Sequence, residues 1–243
     1  MRILAGVLAG VLAGPVAAAN LPKLLEPVLH LAPSAAGVTR VALTFDACDG
    51  AIDRRILDEL EQDRIPATIF VTGKWLARNP ATYAELRAHP DLFEVEDHGA
   101  RHLPAVDYPT QIYGLQTAGS PAAVLAEVNG GAQAIEALGG PAPHWFRGAT
   151  AKYDASAMTE IQSAGFQIAG YSLNGDQGAS VSTVEAKRRI GGAVDGDVIL
   201  SHINQPHRPA GAGVVEGIAA LRARGVIFVR LEDAVEAGQG GRL

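Results

Sequence analysis

The chain has 243 residues, 48% of them hydrophobic and 19% charged, which suffices for one large domain with a substantial core and requires no second one. Its 26 acids against 20 bases leave a net charge of −6 with no long run of either sign, so the charge pattern argues against a nucleic-acid groove or electrostatic attachment to an anionic membrane. Cys48 is the single cysteine, which excludes an internal disulfide.

The first 19 residues read as a signal peptide. Arg2 supplies a positive charge, Ile3 to Val16 is apolar, and Ala17-Ala18-Ala19 offers the small residues of a cleavage site. Gly10, Gly14 and Pro15 interrupt the run, which falls short of the roughly 20 apolar residues of a membrane span. The expectation is an exported protein, periplasmic or secreted, with no stable membrane insertion. Residues 20–39 mix apolar side chains with three prolines and read as an N-terminal extension, either extended or a short helix on the surface, without chemistry of its own. A single domain from residue 40 to 243 follows.

Val41, Leu43 and Phe45 begin a buried strand that ends in two carboxylates, Asp46 and Asp49. Two readings stand: acids at a strand exit face a cleft, or they cap the helix that follows. That helix carries Ile52, Ile56, Leu57 and Leu60 on one face, and ATIFV after Pro66 is the next strand. The alternation continues with a helix around Ala81 to Ala88, a strand through Leu92 to Val95 and a helix from Pro121 to Leu138. It then runs through strands at His144 to Arg147, Phe166 to Leu173, Val198 to His202 and Val226 to Leu231, separated by helices. Such a series predicts an α/β fold, a distorted (β/α) barrel of about seven parallel strands.

Three stretches carry chemistry. Cys48, between Asp46 and Asp49, is expected mainly to pack as a small side chain, although a thiol there can touch a metal. His98 and His102 are four residues apart, and a helical turn between them would set both imidazoles on one face for zinc; one capping a loop and the other solvated is the alternative. Asp97 is either a partner to a ligand histidine or a surface acid. His202 ends a buried strand, where an acid or base would face the cleft.

TFDACDG, HGARH, the strand end Trp145-Phe146-Arg147-Gly148, the Asp176 segment and ILSH, in this order, resemble the polysaccharide deacetylase family, the NodB-homology domain of carbohydrate esterase family four. The resemblance runs from about Arg40 to the C-terminus. It implies a metal-dependent hydrolase that removes acetyl groups, from amide or ester bonds, from an acetylated poly- or oligosaccharide such as an N-acetylhexosamine polymer or peptidoglycan. Carried over, it makes Asp46 the catalytic base, Asp49, His98 and His102 the metal ligands, Arg147 the partner of Asp46, His202 the general acid and Asp176 its orienting residue. The implied metal is Zn2+, with Co2+ as the other fit. The chain departs from the family pattern where Ala47-Cys48 separate the two acids, where RGATAKYD replaces the usual arginine motif so that Tyr153 is displaced, and where no tryptophan accompanies Asp176. An exported glycan-binding protein with a vestigial site is the alternative these departures allow.

Overall fold

A computed structural model describes residues 22–34 and 37–234. The signal-peptide reading of residues 1–19 therefore lies outside the described residues.

Elements follow in the order β1 (Arg40–Ala47), α1 (Arg54–Gln62), β2 (Ala67–Val71), α2 (Gly73–Arg78), α3 (Pro80–Ala88), β3 (Phe93–Asp97), the short pair β4 (Gln111–Ile112) and β5 (Leu115–Gln116), and α4 (Pro121–Ala137). Then come β6 (Trp145–Phe146), a 3-10 turn at Ala149–Ala151, α5 (Ala155–Ser163), β7 (Gln167–Ile168), β8 (Leu173–Asn174), α6 (Thr183–Gly191), β9 (Val198–His202), α7 (Ala210–Ala223), β10 (Ile227–Val229) and α8 (Leu231–Ala234). Eight strands form one parallel sheet in the order β7-β6-β3-β2-β1-β9-β8, with β10 pairing the start of β1. The sheet curls into an open barrel, and the domain is a single α/β unit.

Strand alternation sorts the side chains between two environments. Val41, Leu43, Phe45 and Ala47 of β1, with Ile69 and Val71 of β2 and Val95 of β3, pack outward against Ile56, Leu57 and Leu60 of α1, Trp75 of α2 and Ile218 and Leu221 of α7. The opposite set, Ala42, Thr44 and Asp46 on β1 and Val198, Leu200 and His202 on β9, follows the other parity. Ala42, Phe70, Trp145 and Val198 form a second apolar cluster there. Burying the outward set is the main stabilising contribution, about 25 cal/mol for each Å² of apolar surface removed from water.

Two expectations need correction. The stretch Phe166 to Leu173 is two strands, not one, and Gly170 marks the break: a Cβ there would sit 2.3 Å from the Pro27 carbonyl oxygen. The N-terminal extension enters at this seam. Leu29 and Leu31 are buried in the interior cluster, Leu25 bridges Tyr153, and Leu31 N–H donates to Gly196 O at 2.9 Å. The segment is therefore a plug in the open side of the barrel, not a surface lead-in. No helix among the described residues is long and apolar enough to cross a membrane.

Candidate active site

The site is built at the carboxyl ends of the central strands, where parallel sheets leave their cleft. Asp46, the last inward position of β1, lies in register with His202 on β9. It is 5% exposed, and its Oδ1 accepts from Arg147 Nη1 at 3.0 Å. Arg147 is fully buried and donates from all three nitrogens: Nη1 also to Thr44 Oγ1 at 2.9 Å, Nε to Ala169 O at 3.2 Å and Nη2 to Gly170 O at 3.1 Å, with the guanidinium 4.2 Å from the Phe70 ring centre. A guanidinium held on every side fixes the carboxylate beside it. Burial opposes the charge on Asp46, but His98, Arg147 and His202 around it hold the carboxyl below its usual range.

Cys48, and not Asp49, stands beside the two histidines. Continuing the alternation of β1 by two residues turns Cys48 inward beside Asp46 and turns Asp49 away. Cys48 Sγ lies 3.5 Å from His98 Nε2, and its sulfur and one ring nitrogen each of His98 and His102 fall within 4.8 Å of one another. Asp49 instead pairs with Arg78, accepts from Gly50 N–H at 2.8 Å, and leaves 42% of its side chain exposed. Neither acid caps α1; Asp53 does, its side chain accepting from Arg55 N–H. Burial works against a thiolate at Cys48, yet the positive His98 and hydrogen bonds from the histidines bring the thiol well below its ordinary value. Thiolate and imidazole donors converging on one point suit zinc or cobalt, so the residues present fit a metal of that kind.

His98 takes the next inward position after Glu94 and Glu96 of β3. Its Nδ1 is 2.5 Å from Arg147 O, which assigns one proton to Nδ1 and makes Nε2 the nitrogen that would ligate once it gives up its own. Burial lowers its pKa, but Asp46 and Cys48 outweigh that and raise it to about 9. His102 does not arrive by a helical turn. Gly99 at φ 89° and His102 at φ 66° fold residues 98–103 into a loop that brings the two rings to 5.0 Å between centres. Glu127 of α4, 1% exposed, holds that loop: Oε1 accepts from Arg101 N–H at 2.8 Å and Leu103 N–H at 3.0 Å, and its carbonyl accepts from Ala100 N–H at 2.9 Å. Sequence reading missed Glu127; a carboxylate on the buried face of a helix was its one signal. Asp97 is neither a histidine partner nor a surface acid. It is buried on the outward parity, accepts from Gly99 N–H at 2.7 Å, and burial raises its carboxyl well above the ordinary value.

Across the cleft, Asp176 is fully buried and accepts twice from His202, from its backbone N–H at 2.7 Å and from Nδ1 at 2.9 Å. This leaves His202 Nε2 as the ring nitrogen on the Cys48 side. Burial opposes its protonation, but Asp176 and Cys48 raise its pKa well above the imidazole norm. Tyr153 is a buttress: fully buried, with its hydroxyl accepting from Gly148 N–H at 2.8 Å. The adjoining turn bends unusually, Thr150 at φ 69° and Ala151 at φ 52°, and the buried Thr150 Oγ1 has no hydrogen-bond partner among the described residues. A β-branched residue with positive φ is a strained outlier, and sequence reading gave no warning of it.

Asp46, Cys48, His102, Thr150 and His202 line one cavity of about 520 Å³. A buried carboxylate held as an anion, an imidazole held as a cation and a cluster of metal-type donors thus share one opening. The polysaccharide deacetylase family model matches residues 35–169, more than half of the sequence. The chain belongs to the polysaccharide deacetylase family. The matched region of this deacetylase-family chain holds Asp46, Cys48, His98, His102 and Arg147, while the fold adds Asp176 and His202 from beyond it. Curated protein sequences give no match. Among solved structures, a peptidoglycan deacetylase from Bacillus subtilis is 23% identical, with a TM-score of 0.66 over 81% of this chain and 90% of that one. An acetyl xylan esterase from Clostridium thermocellum in complex with a cobalt ion is 24% identical, with a TM-score of 0.63 over 79% and 88%. A family pseudoenzyme from Bacillus anthracis is 17% identical, with a TM-score of 0.67 over 85% and 70%. These likenesses establish the shared fold.

Proposed function

We propose that this protein is an exported, metal-dependent hydrolase that removes acetyl groups from an N-acetylhexosamine glycan, a polysaccharide or peptidoglycan strand. The observation that carries the reading is the facing pair Asp46 and His202, in register on neighbouring strands and each locked by its own buried partner, Arg147 and Asp176. Environments that push two titratable groups apart assign the acid and the base. The signal-peptide pattern of residues 1–19 supports the export.

Cys48, His98 and His102 would hold the metal, Zn2+ or Co2+, in place of the expected Asp49. When bound, such an ion supplies Lewis acidity to water and to the acetyl oxygen. Asp46 accepts a proton from the attacking water, and Arg147 keeps the carboxylate aimed. His202 then gives its Nε2 proton to the departing amine, while Asp176 steadies the positive ring. The products are acetate and a free amine on the sugar.

The test is acetate release from N-acetylglucosamine oligomers and from peptidoglycan, with zinc, with chelator, and with Asp46→Asn alongside. Metal-dependent release that falls about 100- to 10,000-fold in the variant is expected. Glycan binding without release, equal in wild type and variant, would instead make the chain a binding protein of the pseudoenzyme kind.

A further inference from the structure

Tyr113 has no place in the chemistry above, yet the chain keeps it in a costly position. β4 and β5 are joined by a two-residue loop, Tyr113-Gly114, with Ile112 paired to Leu115. Both loop residues have positive φ, 50° and 83°, the geometry of the tight hairpin turn that favours asparagine, aspartate or glycine at its first position. A tyrosine there is strained and, at 78% exposure, recovers almost nothing by burial. The base of the hairpin is firm: Ile112 is buried, and Thr117 Oγ1 donates to Tyr108 O at 2.7 Å and accepts from Thr110 N–H at 3.0 Å. A rigid stem thus presents an aromatic ring that lines the same cavity as Asp46 and His202.

The surroundings of the ring are polar. Lys152 Nζ lies 5.7 Å from the Tyr113 ring centre and 2.9 Å from Glu26 Oε2. The Tyr171 hydroxyl bonds Glu26, and Glu26 and Tyr171 also line the cavity. An aromatic face with a negative quadrupole attracts C–H groups that carry partial positive charge, and a carboxylate, an ammonium and a phenol beside it can pair with hydroxyls. A pyranose ring combines one C–H-rich face with a rim of hydroxyls. The cavity, at about 520 Å³, is also of a size that takes more than an acetyl group.

We infer that Tyr113, with Glu26 and Lys152, forms a second sugar subsite, on which a neighbouring pyranose of the glycan stacks while another residue of the strand meets Asp46 and His202. The substrate is then an oligomer, not a single acetylated sugar. This rests on the deacetylase reading for its substrate class. The experiment compares wild type, Tyr113→Ala and Tyr113→Trp on the β-1,4-linked tetramer of N-acetylglucosamine and on 4-nitrophenyl acetate, with tetramer binding measured by calorimetry. In Tyr113→Ala the ratio of kcat/KM on the tetramer to that on the ester falls roughly 3- to 10-fold, tetramer affinity falls by a similar factor, and Tyr113→Trp retains both. A tetramer that binds wild type better than Tyr113→Ala without acetate release leaves the subsite standing and removes the deacetylase reading. Equal tetramer binding in wild type and Tyr113→Ala, no tetramer binding by wild type, or an equal loss on both substrates overturns the subsite.

Discussion

Cys48 and Asp49 are neighbours in sequence, yet they face opposite sides of the barrel wall. The parity that puts Ala42, Thr44 and Asp46 inside carries Cys48 inside as well, and this much was legible in VALTFDACDG. The family resemblance gave Asp49 the metal, because an acid follows the strand-end aspartate in the usual pattern, and the thiol was expected mainly to pack. In the folded chain Asp49 pairs with Arg78, and Cys48 is the residue that faces His98. Replacing Cys48 by Ala should weaken zinc by more than about 100-fold, since even residues that only orient ligands are worth 10- to 100-fold. Asp49→Asn, which removes only an exposed ion pair, should change it by less than about 3-fold. Competition against a chromophoric chelator measures both. An equal loss in the two variants would mean that Asp49 leaves Arg78 to join the metal.

The loop between β3 and β4 shows what pattern reading can and cannot reach at the level of an element. The spacing of His98 and His102 revealed a pair of donors, and β3 and α4 were both legible from their apolar residues. The helical turn expected between the histidines fails because Gly99 and His102 adopt positive φ. What stabilises that conformation comes from α4, 25 residues further along the chain from His102. Periodicity carries no information about a contact of that range. Glu127 satisfies the N–H groups on both sides of His102, so it positions that imidazole without joining the candidate metal-binding group. Glu127→Leu should lower zinc affinity about 10- to 100-fold, while Glu127→Gln, whose amide oxygen accepts the same two N–H groups, should remain within a few-fold of wild type. Zinc titration of both variants, with the melting temperature of the metal-free proteins alongside, separates the roles. A lower melting temperature with unchanged affinity would reduce Glu127 to a support of the fold.

For the molecule as a whole, the alternation of strands and helices foretold the parallel barrel, whereas the closure of its open side was not legible. The residues that fill the seam, Leu29 and Leu31, lie in a proline-rich stretch without periodicity, and only their burial in the folded chain reveals the plug. The interior holds a second unforeseen feature, the acids Glu94 and Glu96 on the inward face of β3, both buried. Glu96 accepts from His144 N–H at 2.8 Å and Trp145 N–H at 2.7 Å, while Thr68 Oγ1 donates to Glu94 at 2.5 Å. Burial first, and then the charge of Glu94, push Glu96 up to about 9; burial raises Glu94 as well. Between the unfolded value near 4.5 and the folded value near 9, the native protein binds a proton at Glu96 that the unfolded chain has released. Stability therefore falls as pH rises through that window, with a slope of at most about 1.4 kcal/mol per pH unit for one proton. Glu96→Gln carries no titrating proton, and its amide oxygen can still accept from the two backbone N–H groups. Urea unfolding at pH 5, 7 and 9 should show the variant gaining on wild type at each step upward, and parallel pH profiles for the two proteins would place the ionised carboxylate, not the acid, inside the native barrel.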